Sequence, residues 1–183
     1  MKKSDALRII VRRGQPEDFK HINDLAATAI YPAFAHPELT DEQQAENRRI
    51  VGMTHNACVQ SLQDADRAVF VAHYEGALAG FVIADKATQP CPEIDWFIVF
   101  PTFQGHGVAQ ELMATALAWI GPDTDVMLGV IHYNTRAIAF YQKHGFEDTD
   151  QIIGKHKIPR TLMIRKKITD DVSRSTATLN CNQ

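Results

Sequence analysis

The chain is 183 residues long, 45% hydrophobic and 22% charged, with a formal net charge of −3. That length and composition belong to a single globular domain able to bury a substantial core. The slight acidity supplies no global basic field for nucleic acid or an anionic membrane, and no apolar run approaches the ~20 residues of a bilayer span.

In chain order, Leu7 to Arg12 reads as a first strand. Gln15-Pro16-Glu17-Asp18 then opens a helix, with proline and acids in its first turn. Ile22, Leu25, Ala26, Ala29 and Ile30 form the apolar stripe of that helix. Tyr31 to Leu39, with two prolines and two aromatics, reads as a loop. Thr40-Asp41-Glu42-Gln43 offers a capping box for a polar helix reaching about Gln63, which Gly52 is expected to interrupt. Arg67 to Tyr74 and Ala77 to Asp85 flank Glu75-Gly76, a two-residue hairpin signal.

Ile94 to Phe100 is aromatic and β-branched, and Pro101 ends it, as expected of a strand buried on both faces. Glu93 and Asp95 lie two apart on this strand and are expected to share a face with Phe97 and Val99. Val108, Leu112, Met113, Ala116, Leu117 and Ile120 then recur at one-face helical spacing. Beyond them come a short strand (Val126 to Ile131), a helix (Asn134 to His144) capped by Gly145, and two strands, one begun by Phe146 and one spanning Thr161 to Lys167. Residues 169–183 are polar and aperiodic and read as a tail after a single domain, 1–168.

Between the central strand and its helix lies Gln104-Gly105-His106-Gly107-Val108-Ala109. A sharp strand-to-helix turn leaves the first helical N–H groups without backbone acceptors, and with the helix dipole they make an anion site. Glycines at 105 and 107 let the backbone approach a phosphate with no Cβ between. A dinucleotide fold wants G-x-G-x-x-G, but position 110 is Gln; a Walker loop wants Gly-Lys-Ser/Thr, which is absent. The pattern Gln104-x-x-Gly107-x-Ala109 after a Val-x-Pro strand end resembles the pyrophosphate-binding motif of the GNAT superfamily of acyl-CoA N-acyltransferases.

A second stretch, from Asn134 to Phe146, resembles the other signature of that superfamily, N-x-x-A-x-x-F/L-Y-x-x-x-G-F. From its position alone Asn134 is a helix cap, and Tyr141 at helical spacing is a core tyrosine. The resemblance adds a contact from Asn134 to the pantetheine arm and makes Tyr141 the candidate general acid. It also implies a mixed α/β fold: a twisted sheet of about seven strands with helices on both faces. Acetyl-CoA is the expected cosubstrate. Its pyrophosphate is expected on Gly105 to Gln110 and Gln104, and its thioester against the backbone of Phe97, Ile98 and Val99.

A protonated amine is a poor nucleophile, so a base must accept its proton; Glu93 and Asp95 are the candidates, with Glu93 favoured narrowly. His106 lies in the loop itself, where a phosphate contact and plain solvent exposure are equally open. No His pair has zinc spacing and no CxxC occurs, so no metal is implied. Three widely spaced cysteines, Cys58, Cys91 and Cys181, and the absence of a signal-length apolar start imply reduced thiols in the cytoplasm. The acceptor is an amine of unspecified identity, and oligomeric state is open, with a homodimer among the options. The competing reading is a sensor or interaction module that binds acyl-CoA without turning it over.

Overall fold

The computed structural model describes residues 9–153 and 156–168. The expected tail, residues 169–183, lies outside the described residues, as do Leu7 and Arg8 of the first strand. The elements are β1 (Ile9–Arg13), α1 (Ile22–Phe34), α2 (Asp41–Gln63), β2 (Arg67–Tyr74), β3 (Ala77–Asp85), β4 (Glu93–Val99), α3 (Val108–Ile120), β5 (Val126–Ile131), α4 (Thr135–Lys143), β6 (Phe146–Ile153) and β7 (Arg160–Arg165). Seven strands form one sheet in the order β1-β2-β3-β4-β5-β7-β6. Among the described strands only β4 and β5 pair in parallel.

The sheet is covered on both sides. Val108, Leu112, Met113, Ala116 and Ile120 of α3, with Tyr141 of α4, pack on Phe70, Val82, Leu128 and Phe146. On the other side, Ile22 of α1 and Cys58 of α2 pack on Val69, Val71, Phe81 and Ile83. Burying each large side chain of this kind is worth ~1.5–3 kcal/mol before chain entropy is charged against it.

Several local expectations differ from the structure. The helix expected from Gln15–Asp18 through Ile30 is two elements, a single 3-10 turn at Pro16–Phe19 and then α1 from Ile22. The strand expected to be buried on both faces, β4, has only Ile94 buried within it, because its later residues line a cleft. The stretch 31–34 is helical, because Pro32 removes only its own donor from the last turn of α1. The carbonyl of Phe34, orphaned at that helix end, accepts from Tyr133 Oη at 2.7 Å. Gly52 does not interrupt α2, which runs unbroken from its Thr40–Gln43 capping box. There Asn23 of α1 bridges the two helices, accepting from His55 N at 2.8 Å and donating to the Gly52 carbonyl at 3.4 Å.

The course of β4 positions everything that follows. It pairs with β5 only at Glu93↔Met127 and Ile94↔Leu128, then the two strands part. Its other edge stays on β3 as far as Gly80↔Val99. Ile83 faces Trp96 and Ala84 faces Ile94, so Asp95 is an extra residue, a bulge. The expected sharing of one face by Glu93, Asp95, Phe97 and Val99 is therefore corrected. After the bulge Phe97 and Val99 turn to the α3 and α4 side, and Trp96 and Ile98 turn to the α1 and α2 side.

Candidate active site

The parting of β4 from β5 opens a cleft of about 1020 Å³ that runs from the 104–110 turn across the sheet to α1 and α2. That volume is ample for a large organic ligand, whose pockets span ~300–1,000 Å³. Its walls include Asp95, Phe97, Ile98, Val99, Gln104, Gly105, Ala109, Gln110, Asn134 and Tyr141. Glu93, His106, Gly107 and Val108 do not line it.

At one end, Gly105 and Gly107 take φ of +84° and +88°, the left-handed region that disfavours a side chain. The first intrahelical bond of α3 runs from Glu111 N to the Gly107 carbonyl at 3.2 Å, which leaves the amides of residues 108–110 without helical acceptors. A Cβ on Gly105 would meet nothing within 4 Å, whereas one on Gly107 would lie in contact with Ile9 Cδ1 at 3.4 Å. Gly105 thus keeps the cleft side of the turn bare, while Gly107 serves the turn itself. Gln104 is held between Val99, whose carbonyl accepts from Nε2 at 3.2 Å, and Arg136, whose Nη1 donates to Oε1 at 2.6 Å. His106 packs its ring on Tyr74 with centroids 5.0 Å apart, Nδ1 lying 3.2 Å from the Gln104 carbonyl. Val108 is buried in the core.

Asn134 caps α4, its Oδ1 accepting from Ala137 N at 3.2 Å. The same side chain borders the cleft, so the cap and a ligand contact are compatible. Tyr141 is 9% exposed, its ring set edge-on to Phe97 and Phe146. Among the described residues its hydroxyl has no hydrogen-bond partner, and burial drives its pKa well above the ordinary phenol range, with the Arg160 charge opposing.

The two carboxylates of β4 part company. Asp95 accepts from Arg67 Nη2 at 2.6 Å, and Arg67 Nε also lies 3.5 Å from Asp85. The 35% exposure of the Asp95 side chain is exposure to the cleft, so the surrounding walls still raise its pKa, against the pull of Arg67. Glu93 stands one step back, opposite Asp85 and Met127. Its pKa is raised by burial and by the Asp95 and Asp85 charges. Cys91, before β4, is not in the cleft wall, and burial with the Asp125 charge pushes its thiol up, away from a nucleophilic thiolate. Buried Cys58 is pushed up to about 12.

Three wall residues escape a reading by motif: Arg67, Tyr133 and Arg160. Arg67 could be reached by running the β2–β3 hairpin register down to Asp85, had the irregularity at Ala72/His73 been foreseen. Tyr133 precedes the capping Asn134 and closes the cleft against α1 through its bond to Phe34. Arg160 ends the stretch 154–160, which the resemblance places in the acceptor pocket, but no motif singles out the arginine.

Comparison with known proteins agrees with this geometry. The described fold superposes on the PaiA N-acetyltransferase of Thermoplasma acidophilum in complex with coenzyme A, with a TM-score of 0.69 at 20% identity, covering 86% of this chain and 98% of that one. It also superposes on Ard1 from Thermoplasma volcanium with a TM-score of 0.62 at 22% identity, covering 89% of this chain and all of that one (100%). At these identities the likeness concerns the fold. An uncharacterized N-acetyltransferase of Mycobacterium tuberculosis (strain H37Rv) is 33% identical over 90 residues, 47% of this chain. The match spans only about half (56%) of that relative's length. Residues 24–146 match the family described as acetyltransferase (GNAT), well over half of the chain. The chain therefore belongs to the GNAT acetyltransferase family.

Proposed function

We propose that the protein is an N-acetyltransferase, moving the acetyl group of acetyl-CoA to a primary amine of a small molecule or a peptide by direct attack, with both substrates bound at once. One observation carries this reading. A single cleft joins a turn with bare, acceptor-free amides, a buried tyrosine and a carboxylate, in that order along the parted strands. The coenzyme A complex of a structural neighbour supports the choice of ligand.

Each part has a physical task. The amides beyond Gly105 and the positive end of α3 suit a pyrophosphate. The edge of β4 beyond Ile94 has lost its β5 partner, so its backbone groups are available to hydrogen-bond a pantetheine amide and the thioester carbonyl. An alkyl amine of pKa ~10.4 is protonated at neutral pH, and it must lose a proton before it attacks. Asp95 faces the cleft and is the group placed to take that proton, directly or through water.

Glu93, though its pKa is raised, stands outside the cleft wall, so the geometry favours Asp95 over the glutamate preferred from sequence. Arg67 opposes the rise that burial gives the Asp95 pKa, at some loss of basicity. On the leaving side, burial keeps the Tyr141 phenol protonated, as a donor must be. The same burial raises the pKa of a thiolate departing beside it, so the thiolate too is driven to take up a proton.

The test is release of free thiol from acetyl-CoA by purified protein offered a library of amines, repeated with Tyr141→Phe. Amine-dependent release that falls by ~10²-fold or more in the variant supports the reading. Tight binding of acetyl-CoA with no release for any amine would assign the fold to sensing instead.

A further inference from the structure

The acceptor end of the cleft has an uneven charge. Its walls, taken with those of the phosphate end, carry four arginines, Arg49, Arg67, Arg136 and Arg160, and one carboxylate, Asp95. Three of these arginines are engaged by protein groups. Arg67 holds Asp95, Arg136 holds Gln104, and Arg49 lies 3.4 Å from Glu46 and donates to Met53 Sδ at 2.8 Å. Arg160 makes no side-chain hydrogen bond and no ion pair among the described residues.

Its position makes that notable. Arg160 begins β7, opposite Ile131 of β5 and Ile153 of β6. Its stem lies across Gly129: a Cβ there would sit 3.6 Å from Arg160 Cδ. That is ordinary contact, so the stem lies packed over β5, and the atom a side chain at Gly129 would clash with is Ile153 Cδ1, at 2.9 Å. Asp95, Glu46, Glu93 and Tyr141 all feel its charge, yet none is bonded to it, and burial lowers its pKa. Beside it, His156 Nδ1 is buried with no hydrogen-bond partner and stands 3.6 Å from Glu46. A guanidinium held in such a site without an anion forgoes the bidentate partner that best offsets its desolvation.

We infer that Arg160 is the anchor for an anionic group on the acceptor, so that the substrate is an amine carrying a carboxylate on the same molecule, as an amino acid or an acidic peptide start does. The inference rests on the acetyl-transfer reading and deepens it. The amine lies toward Asp95 and the thioester, and the carboxylate is taken by Arg160, with Asp95 kept from competing by its bond to Arg67. Polyamines and lysine-rich peptides are disfavoured by the same arginines.

The experiment compares matched acceptors, with free-thiol release as the readout: the L-amino acids against their carboxamides, and short peptide amides that start with Asp or Glu against those that start with Asn or Gln. For the wild-type chain kcat/KM should fall roughly 10–10²-fold when the carboxylate is neutralised, the range for a charged hydrogen bond. The loss should lie mainly in KM. Arg160→Gln should erase that discrimination, and Arg160→Lys should keep part of it, which also guards against a misfolded variant. Preference within the first acceptor set or the second tells a free amino acid from a peptide. Equal turnover of charged and neutral acceptors by the wild-type chain overturns the inference while leaving acetyl transfer intact. An equal loss on both in Arg160→Gln also overturns it, since the arginine would then serve the common chemistry. Failure of the wild-type chain to bind acetyl-CoA in calorimetry overturns acetyl transfer and this inference together.

Discussion

Arg67 reaches from β2 across β3 to hold Asp95 at 2.6 Å, tying the bulge of β4 to the far edge of the cleft. The pair sets the protonation of the group assigned as base. Arg67 lowers the Asp95 pKa, while burial raises it. Arg67→Met removes the larger lowering influence and leaves that of Arg160, so the acidic limb of kcat/KM should move to higher pH. Asp95→Asn should abolish that limb and lower kcat/KM by ~10²-fold or more. A pH profile in which Arg67→Met leaves the limb in place would detach Asp95 from the proton.

Glu93 supplies a stability prediction with a definite sign. Its folded pKa lies above the ordinary glutamate value of 4.5, so the folded state holds this proton more firmly than the unfolded chain. The stability linked to it is present below 4.5 and is lost as pH rises through the folded pKa. Glu93→Gln should remove that fall, so the variant gains on the wild type as pH rises from 4 toward 8 in urea unfolding. Its turnover should stay within about threefold of wild type, because Glu93 does not line the cleft, against the ~10²-fold or greater loss that removal of a general base brings.

The two turn glycines separate by their surroundings. Both hold left-handed φ, so a valine at either should cost ~1–2 kcal/mol in backbone strain, seen as a lower melting temperature. Only Gly105 borders the cleft. Gly105→Val should therefore weaken acetyl-CoA more than tenfold in calorimetry beyond any loss in Gly107→Val, whose side chain would lie against Ile9 instead.

Much of this was legible in the amino-acid order because it is local. The Gln104–Ala109 turn, the apolar stripe of α3, the Asn134 cap and the β2–β3 hairpin all follow from residues near one another in the chain. The unread parts are long-range. Asp95 and Arg67 are 28 apart in sequence, and they meet because of two register shifts, at Ala72/His73 and beside Asp95. A bulge has no composition signature, and this one turned Phe97 and Val99 away from the carboxylates. Pro32 and Gly52 were read as breakers by propensity, yet packing of α1 on α2 and the Tyr133 bond to Phe34 outweigh that preference.

Tyr133 gives a prediction on the acceptor side alone. Tyr133→Phe deletes the bond to the Phe34 carbonyl and should cost ~0.5–1.5 kcal/mol of stability. The end of α1 should loosen at the acceptor wall, raising the acceptor KM. Acetyl-CoA affinity, set at the other end of the cleft, should hold in calorimetry.

The central claim is that acetyl-CoA occupies the gap between β4 and β5 with its phosphates on the start of α3. Hydrogen exchange with and without acetyl-CoA reads this directly, because the amides of 108–110 have no helical acceptor to slow them. Strong new protection is expected at residues 105–110 and along 97–99 when acetyl-CoA is added. Saturating acetyl-CoA that leaves those amides exchanging as before, or protects a different surface, would contradict it.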